Sequence, residues 1–176
     1  MAGQMIQSYV PSSITIVINH PATNTTHVVG GLAADSVVSI EYPDETWTEK
    51  VLNNGETVRT HRKDDTIRLT LHVDQTSMSN DVLFGLHKYD QNDLTGLGGI
   101  FTCTFAVKSS RSYAYSSQCF VKRPQTQEYG NDTNVRDWVI VMSNADQLIG
   151  GAGQVDQDTV ATLEALGITI DDTWKL

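Results

Sequence analysis

The sequence has 176 residues, of which 39% are hydrophobic and 19% are charged. This composition predicts one globular domain, 1–176, and excludes disordered and disulfide-stapled proteins. There are 12 basic and 21 acidic side chains, which gives a net charge of −9. Proteins that bind nucleic acids or anionic membranes are usually basic, so the charge argues against both classes. No apolar run approaches the roughly 18 residues of a membrane span and no signal-peptide pattern opens the chain, so we expect neither membrane anchoring nor export.

The acidic charge is concentrated near the end of the chain. Residues 1–123 carry 12 acids and 10 bases, whereas residues 124–176 carry 9 acids and 2 bases. One interpretation is a solvated acidic edge that aids solubility. The other is a surface that repels an anionic partner.

Alternation of apolar and polar residues, which is typical of half-buried strands, dominates the first two-thirds of the chain. Asn54-Gly55 lies between two polar strand patterns and predicts a hairpin over residues 47–62, because Asn-Gly tolerates the positive φ of a tight turn. The other predicted strands cover residues 14–18, 38–42, 67–73, 101–107, 113–121 and 138–142.

The fourth and fifth of these strands form a second predicted hairpin, which carries both cysteines. If Arg111 is at the centre of its turn, Cys103 pairs with Cys119, whereas a slip of one residue places Gln118 opposite Cys103. The 15 residues between the cysteines exclude a Cys-x-x-Cys redox or zinc motif. We expect two neighbouring buried thiols that pack as small hydrophobic side chains and stay reduced.

Two segments have helical spacing. Val82, Leu83, Leu86 and Tyr89 predict a short helix whose first turn is capped by Ser79 or Asn80. Near the end of the chain, Asp156 or Asp158 is placed to cap a second helix over residues 160–166. Val160, Leu163 and Leu166 would form its buried stripe, and Gly167 would follow its last turn.

The sequence contains no recognised catalytic motif and no phosphate-binding loop, so we expect no cofactor. Residues 90–101 begin like a calcium loop but lack its glycine and its final glutamate. His61 and His72, on strands expected to be adjacent, could approach Asp74 to form a metal or acid-base site, but no third ligand has a supporting spacing. The pattern is typical of a structural protein.

The order of several segments resembles that of tail tube proteins from contractile-tailed phages. Gly30-Gly31-Leu32-Ala33-Ala34-Asp35 leads into a strand, the polar hairpin follows, and Gln75-Thr76-Ser77-Met78-Ser79-Asn80-Asp81-Val82-Leu83 joins the next strand to the short helix. A later hairpin ends in Phe120-Val121-Lys122-Arg123-Pro124. The resemblance covers residues 12–151 and leaves residues 156–176 as a C-terminal extension of uncertain role.

The resemblance implies a mainly β fold, an antiparallel β-sandwich or barrel with a short flanking helix and a C-terminal helix. It also implies a non-enzymatic virion protein whose hexameric rings stack into the tail tube through which DNA is ejected. The expected partners are further copies of the chain, the tail sheath, and baseplate or terminator proteins. Double-stranded DNA would pass without specific binding, and assembly would take place in the bacterial host cytoplasm.

The resemblance also suggests which residues contact the next ring and which line the lumen. The hairpin over residues 47–63 has many charges and an apolar side, given by Trp47, Val51, Leu52 and Val58, so we expect it to contact the next ring. The hairpin residues assigned to that contact are Trp47, Glu49, Lys50, Val51, Asn54, Gly55, Arg59 and Arg62. The candidates for lining the lumen come from the polar, solvent-exposed faces of two predicted strands: Ser39, Glu41, Thr70 and His72. The alternatives are a type VI secretion-like tube protein and a monomeric β-sandwich binding module.

Overall fold

The computed structural model describes residues 9–124 and 126–176, and within them the fold is mainly β. Short 3₁₀ turns at Pro11–Ser13 and Asp172–Trp174 lie near its two ends. The strands are β1 (Ile14–His20), β2 (Thr25–Val28), β3 (Val38–Glu41), β4 (Trp47–Val51), β5 (Thr57–His61), β6 (Ile67–Asp74), β7 (Phe101–Val107), β8 (Tyr113–Val121), β9 (Val135–Ser143) and β10 (Asp146–Leu148). The helices are α1 (Ser79–Asn92) and α2 (Gln157–Ala165).

Eight of these strands form one antiparallel sheet. Its order is β2-β1-β7-β8-β9-β6-β3, and β10 pairs with the first three residues of β8. The other two strands, β4 and β5, form a separate two-stranded sheet. The short strands β2 and β10 escaped sequence analysis because four and three residues are too few to show an alternating pattern.

The segment after β2 joins the two edges of the main sheet. The Val29 N–H donates to the Ile16 carbonyl of β1 at 2.9 Å. Two residues later, the Gly31 carbonyl accepts from the Asp74 N–H of β6 at 2.8 Å, and Ala33 N–H donates to the His72 carbonyl at the same distance. One continuous stretch of backbone therefore bonds both β1 and β6, which closes this end of the sheet into a barrel.

The barrel encloses one hydrophobic core. Every second residue of β6 is buried, and β7 and β9 show the same alternation. Leu83 and Leu86 of α1 pack into the same core. Burying a side chain of this size contributes roughly 1.5–3 kcal/mol, so a one-residue slip of any central strand would be strongly unfavourable. The predicted fold class is confirmed.

The start of α1 differs from the prediction. Ser79 and Asn80 lie inside its first turn and do not cap it, because the helix begins at Ser79, one or two residues earlier than predicted. Ser77 Oγ instead accepts the Ser79 N–H at 3.2 Å. Asn80 is buried, and its amide nitrogen donates to the carbonyls of Asp74 at 2.8 Å and Ser77 at 2.9 Å.

The ends of α2 agree with the prediction, whereas its packing does not. Asp156 accepts the Thr159 N–H at 2.7 Å, and Gly167 takes a φ of +82° after the last turn. The expected buried stripe is wrong: no residue of α2 is buried, and Leu166 is 71% exposed. The helix packs on too little neighbouring structure to cover its apolar side.

The β7–β8 hairpin has neither of the two predicted registers. Cys103 pairs with Ser116, and Phe101 pairs with Cys119 across a bulge. The Ser110 N–H donates to the Val107 carbonyl, so the turn is tighter than one centred on Arg111. Sequence spacing carries no signal for such a bulge.

Candidate assembly surfaces

The β4–β5 hairpin stands apart from the barrel. All ten of its strand residues are exposed, and it pairs with no other strand among the described residues. The Gly55 N–H donates to the Leu52 carbonyl at 2.9 Å, and Gly55 has a φ of +84°, as the Asn-Gly signal predicts. A two-stranded sheet without cover is only marginally stable in water, so this hairpin is well suited to bind a partner.

The register of the hairpin divides its apolar residues between two faces. Val51 lies opposite Thr57, whereas Val58 lies opposite Lys50 on the other face. The expectation of one apolar side containing both valines is therefore wrong, because side chains alternate along each strand. Val51 is 67% exposed and shares its face with Trp47, which makes that face the more apolar one.

Trp47 is held in place by its cross-strand neighbours. The Arg59 guanidinium lies 4.4 Å from the centre of the Trp47 ring, and the His61 ring lies 4.8 Å away. At the base of the hairpin, Arg62 forms an ion pair with Asp44. Residues 44–63 contain four acids and four bases, so the hairpin has no net charge. It presents an oriented aromatic ring among balanced charges.

The four lumen candidates lie together on the outward face of β3 and β6. Ser39 lies directly opposite Thr70, and His72 Nε2 is 3.5 Å from Ser39 Oγ. Glu41 lies opposite Arg68, and its carboxylate is 3.7 Å from the Arg68 guanidinium. This face therefore carries charges of both signs and no excess of basic groups among these residues.

The two histidines of the hypothetical metal or acid-base site are not neighbours. His61 lies on the separate β4–β5 hairpin, whereas His72 lies in the barrel wall. His72 Nδ1 is 2.6 Å from Asp137 Oδ1 on β9, so its carboxylate partner is Asp137 and not Asp74. The prediction missed this partner because strands adjacent in sequence need not be adjacent in a sheet. No cluster of three or more potential metal-ligating side chains occurs among the described residues.

Cys103 and Cys119 are both buried and both free. Their side chains interact across the hairpin although their backbones are out of register. A hydrogen bond with Cys119, together with burial, raises the pKa of the Cys103 thiol. Cys119 also donates to the Ser116 carbonyl at 3.3 Å. The pair packs as part of the hydrophobic core.

Two sequence comparisons identify the family. Residues 6–150 match the protein family described as Bacteriophage PhiTE tail tube protein. The chain is also 36% identical over 174 residues to Structural protein ORF10 of Pseudomonas phage KPP10, with 99% of each chain covered. This chain belongs to the phage tail tube family. The resemblance inferred from the sequence is confirmed, and the tail tube protein is a structural component of a virion.

Comparison of folds gives similar chains in contractile injection systems. The sheath/tube terminator of the PVC extracellular contractile injection system, in its extended state, has a TM-score of 0.48 and 10% identity, covering 82% of this chain and 100% of that one. The AFP tube terminating cap of the anti-feeding prophage has a TM-score of 0.48 and 11% identity, covering 84% and 99%. The family assignment rests on the two sequence comparisons.

The tail tube protein has a further surface that sequence analysis missed, between α1 and the chain after β8. We call it the α1 groove. It consists of two adjoining clefts of about 360 and 260 Å³ that share Phe84 and Pro124. Lys88, Arg123 and Arg136 line it, and none of the three forms an ion pair among the described residues. These bases are far apart in the sequence and form no continuous basic segment, so the sequence gives no signal for the groove.

The last part of the tail tube protein, residues 151–176, forms a small unit that we call the C-terminal unit. The Val155 N–H donates to the Trp174 carbonyl at 2.7 Å, which ties its two ends together. Arg111, from the β7–β8 turn, bonds the Gly153 carbonyl and lies 5.5 Å from the centre of the Trp174 ring.

No helix of the described chain is long and apolar enough to cross a membrane.

Proposed function

We propose that the protein forms hexameric rings that stack into the tube of a contractile phage tail and enclose the channel for DNA ejection. It acts as a structural element without catalytic activity and assembles in the host cytoplasm. Sheath and baseplate or terminator proteins are its other partners. The family assignment supports the tube, and the exposed β4–β5 hairpin is the single observation that carries the stacking.

The hairpin contacts the next ring through the face that contains Trp47 and Val51. Trp47 is 43% exposed although its ring is already oriented by Arg59, so little side-chain freedom is lost when a neighbour covers it. Glu49 and Arg59 lie on the same face and would form complementary charge pairs with the neighbour that fix the register more than they add affinity, whereas Lys50 lies on the opposite face and Arg62 is paired with Asp44 at the base. Asn54 and Gly55 form the turn that brings both strands to the neighbour.

The outward face of β3 and β6 lines the lumen. Duplex DNA carries one negative charge per roughly 1.7 Å, so a basic lumen would bind it by counterion release and slow its passage. On this face Glu41 is paired with Arg68 and His72 with Asp137, which leaves no free basic group among these four. The purified protein should therefore not shift duplex DNA in a gel at moderate salt. Tight binding with a steep salt dependence would contradict the proposed lumen.

Replacing residues 47–63 by a short Gly-Ser linker tests the stacking. We expect folded subunits or single rings that no longer form tubes in negative-stain micrographs. A pair of matched single variants identifies the face: Val51→Thr should weaken stacking, whereas Val58→Thr, on the opposite face, should not. Normal tubes from the linker variant would refute the role of the hairpin.

A further inference from the structure

The tail tube protein has oppositely charged surfaces at the two ends of β8. Arg111, which bonds the C-terminal unit, and Ser112, which bonds Gly150 just before that unit, immediately precede this strand, whereas Arg123 and Pro124 of the α1 groove follow it. The strand has nine residues, so at 3.3–3.4 Å per residue the two surfaces are separated by roughly 27 Å. Among the described residues, none of Lys88, Arg123 and Arg136 forms an ion pair with an acid of the C-terminal unit in its own subunit.

The C-terminal unit is acidic. Residues 151–176 contain five acids and one base. That base, Lys175, is already engaged, with its Nζ 2.9 Å from Asp172 Oδ1 and 3.8 Å from Glu164 Oε1. Asp158 is exposed on α2, and Leu166, which follows the helix, adds an exposed apolar side chain to the unit. The unit therefore offers a partner both negative charge and apolar surface.

The α1 groove is complementary in both respects. Within a chain of net charge −9, its lining includes three bases and one acid, Asp81. Two bases lie against aromatic rings: Lys88 Nζ is 5.7 Å from the Phe84 ring centre, and the Arg136 guanidinium is 5.4 Å from that of Tyr129. Phe84 is 47% and Tyr129 74% exposed, so cations and apolar surface are presented together.

We infer that the C-terminal unit of one subunit docks in the α1 groove of a second copy of this chain. The contact is head-to-tail, since each subunit contributes a different surface, and such contacts generate rings or continuous filaments and not closed dimers. The inference rests on the proposed assembly and identifies a contact that the hairpin does not supply. Because the matched family region ends at residue 150, the acidic half of the contact lies beyond it.

Charge reversal on the two surfaces tests this contact in the full-length protein. Lys88→Glu with Arg123→Glu, or Asp158→Lys with Glu164→Lys, should each raise the concentration required for assembly roughly tenfold, measured by sedimentation velocity. Combining all four substitutions should restore assembly, because the charges are again complementary. Lys108→Glu, a reversal outside both surfaces, is the control and should assemble normally.

Crosslinking provides an independent readout of direct contact. A photoreactive residue in place of Tyr129, in a mixture of isotopically light and heavy chains, should crosslink to peptides from residues 151–176 of the other copy. The inference is wrong if the four substitutions do not restore assembly or if crosslinks arise only within one chain. It is also wrong if a short duplex oligonucleotide binds and Lys88→Glu with Arg123→Glu abolishes that binding. A wild-type chain that stays monomeric at all concentrations would instead contradict the proposed function.

Discussion

Asn80 connects the start of α1 to the barrel, and its removal should be costly. Its amide oxygen accepts the indole N–H of Trp138 at 2.9 Å, while its amide nitrogen donates to the carbonyls of Asp74 and Ser77. Asn80 is 5% and Trp138 3% exposed, so water cannot replace these partners without opening the structure. The position of the α1 groove depends on this connection because Asn80 also lines the groove.

The expected magnitude follows from these contacts. In Asn80→Ala the Trp138 N–H loses its partner, and a buried donor without a partner costs roughly 1–3 kcal/mol. The two carbonyls keep backbone donors, so their loss adds only about 1 kcal/mol. We expect the free energy of unfolding to fall by about 3 kcal/mol, which for a domain of this size corresponds to a Tm lower by roughly 6–12 °C.

Denaturant unfolding of the monomeric protein measures this change, and Asn131→Ala, at an exposed loop position, is the matched control. A double-mutant cycle with Trp138→Phe isolates the indole bond, because the second substitution removes the donor that Asn80→Ala leaves without a partner. The reasoning is refuted if Asn80→Ala lies within about 0.5 kcal/mol of wild type. It is also refuted if Trp138→Phe is equally costly in both backgrounds.

Three further predictions concern the core, the C-terminal unit and a loop. Cys103 and Cys119 should resist alkylation in the native protein and both react once it is unfolded without reductant; a disulfide-linked peptide in mass spectra would contradict this. Gly150→Ala should make residues 151–176 protease-sensitive, because the new Cβ would lie 2.5 Å from Cβ of Arg111 in the β7–β8 turn. Gly130→Ala is the control and should have no such effect, because its new Cβ would lie 4.0 Å from the nearest atom. Hydrogen bonds from the Thr95 side chain and from backbone N–H groups lower the pKa of Asp93. Its contribution to loop stability is therefore present above the ordinary carboxyl pKa of about 4 and is lost as the pH falls through the lowered value. The protection of amides in this loop, measured relative to their intrinsic exchange rates at each pH, should fall at low pH, and Asp93→Asn should remove that dependence.

The strands of the barrel could be predicted because the sequence pattern that specifies each of them is local. Ile67, Leu69, Leu71 and Val73 alternate with polar residues, and burying one face of a strand requires that pattern and little else. The two helix ends that agreed best with prediction, Asp156 and Gly167, also depend on residues within one turn. Where the cause of a feature lies within a few residues, its signal is visible in the chain.

The assembly surfaces could be predicted only in part. The hairpin was visible because Asn54-Gly55 and its charges are contiguous, but the division of Val51 and Val58 between two faces required the register. The α1 groove could not be predicted, because Lys88 and Arg123 are 35 residues apart in the sequence and come together only in the folded chain. The same reason explains why Asp137, on β9, was missed as the partner of His72.

A tube requires two different contacts between subunits, one that closes or continues each ring and one that stacks the rings. The two candidate contacts of this protein differ in their electrostatics. The hairpin has four acids and four bases in residues 44–63, whereas the C-terminal unit has a net charge of −4 and meets a groove whose charged lining residues are three bases and one acid. Salt screens a contact between surfaces of opposite net charge more strongly than one between balanced surfaces. Raising the ionic strength should therefore weaken the head-to-tail contact before the hairpin contact, and the order in which the two are lost shows which of them holds the rings together.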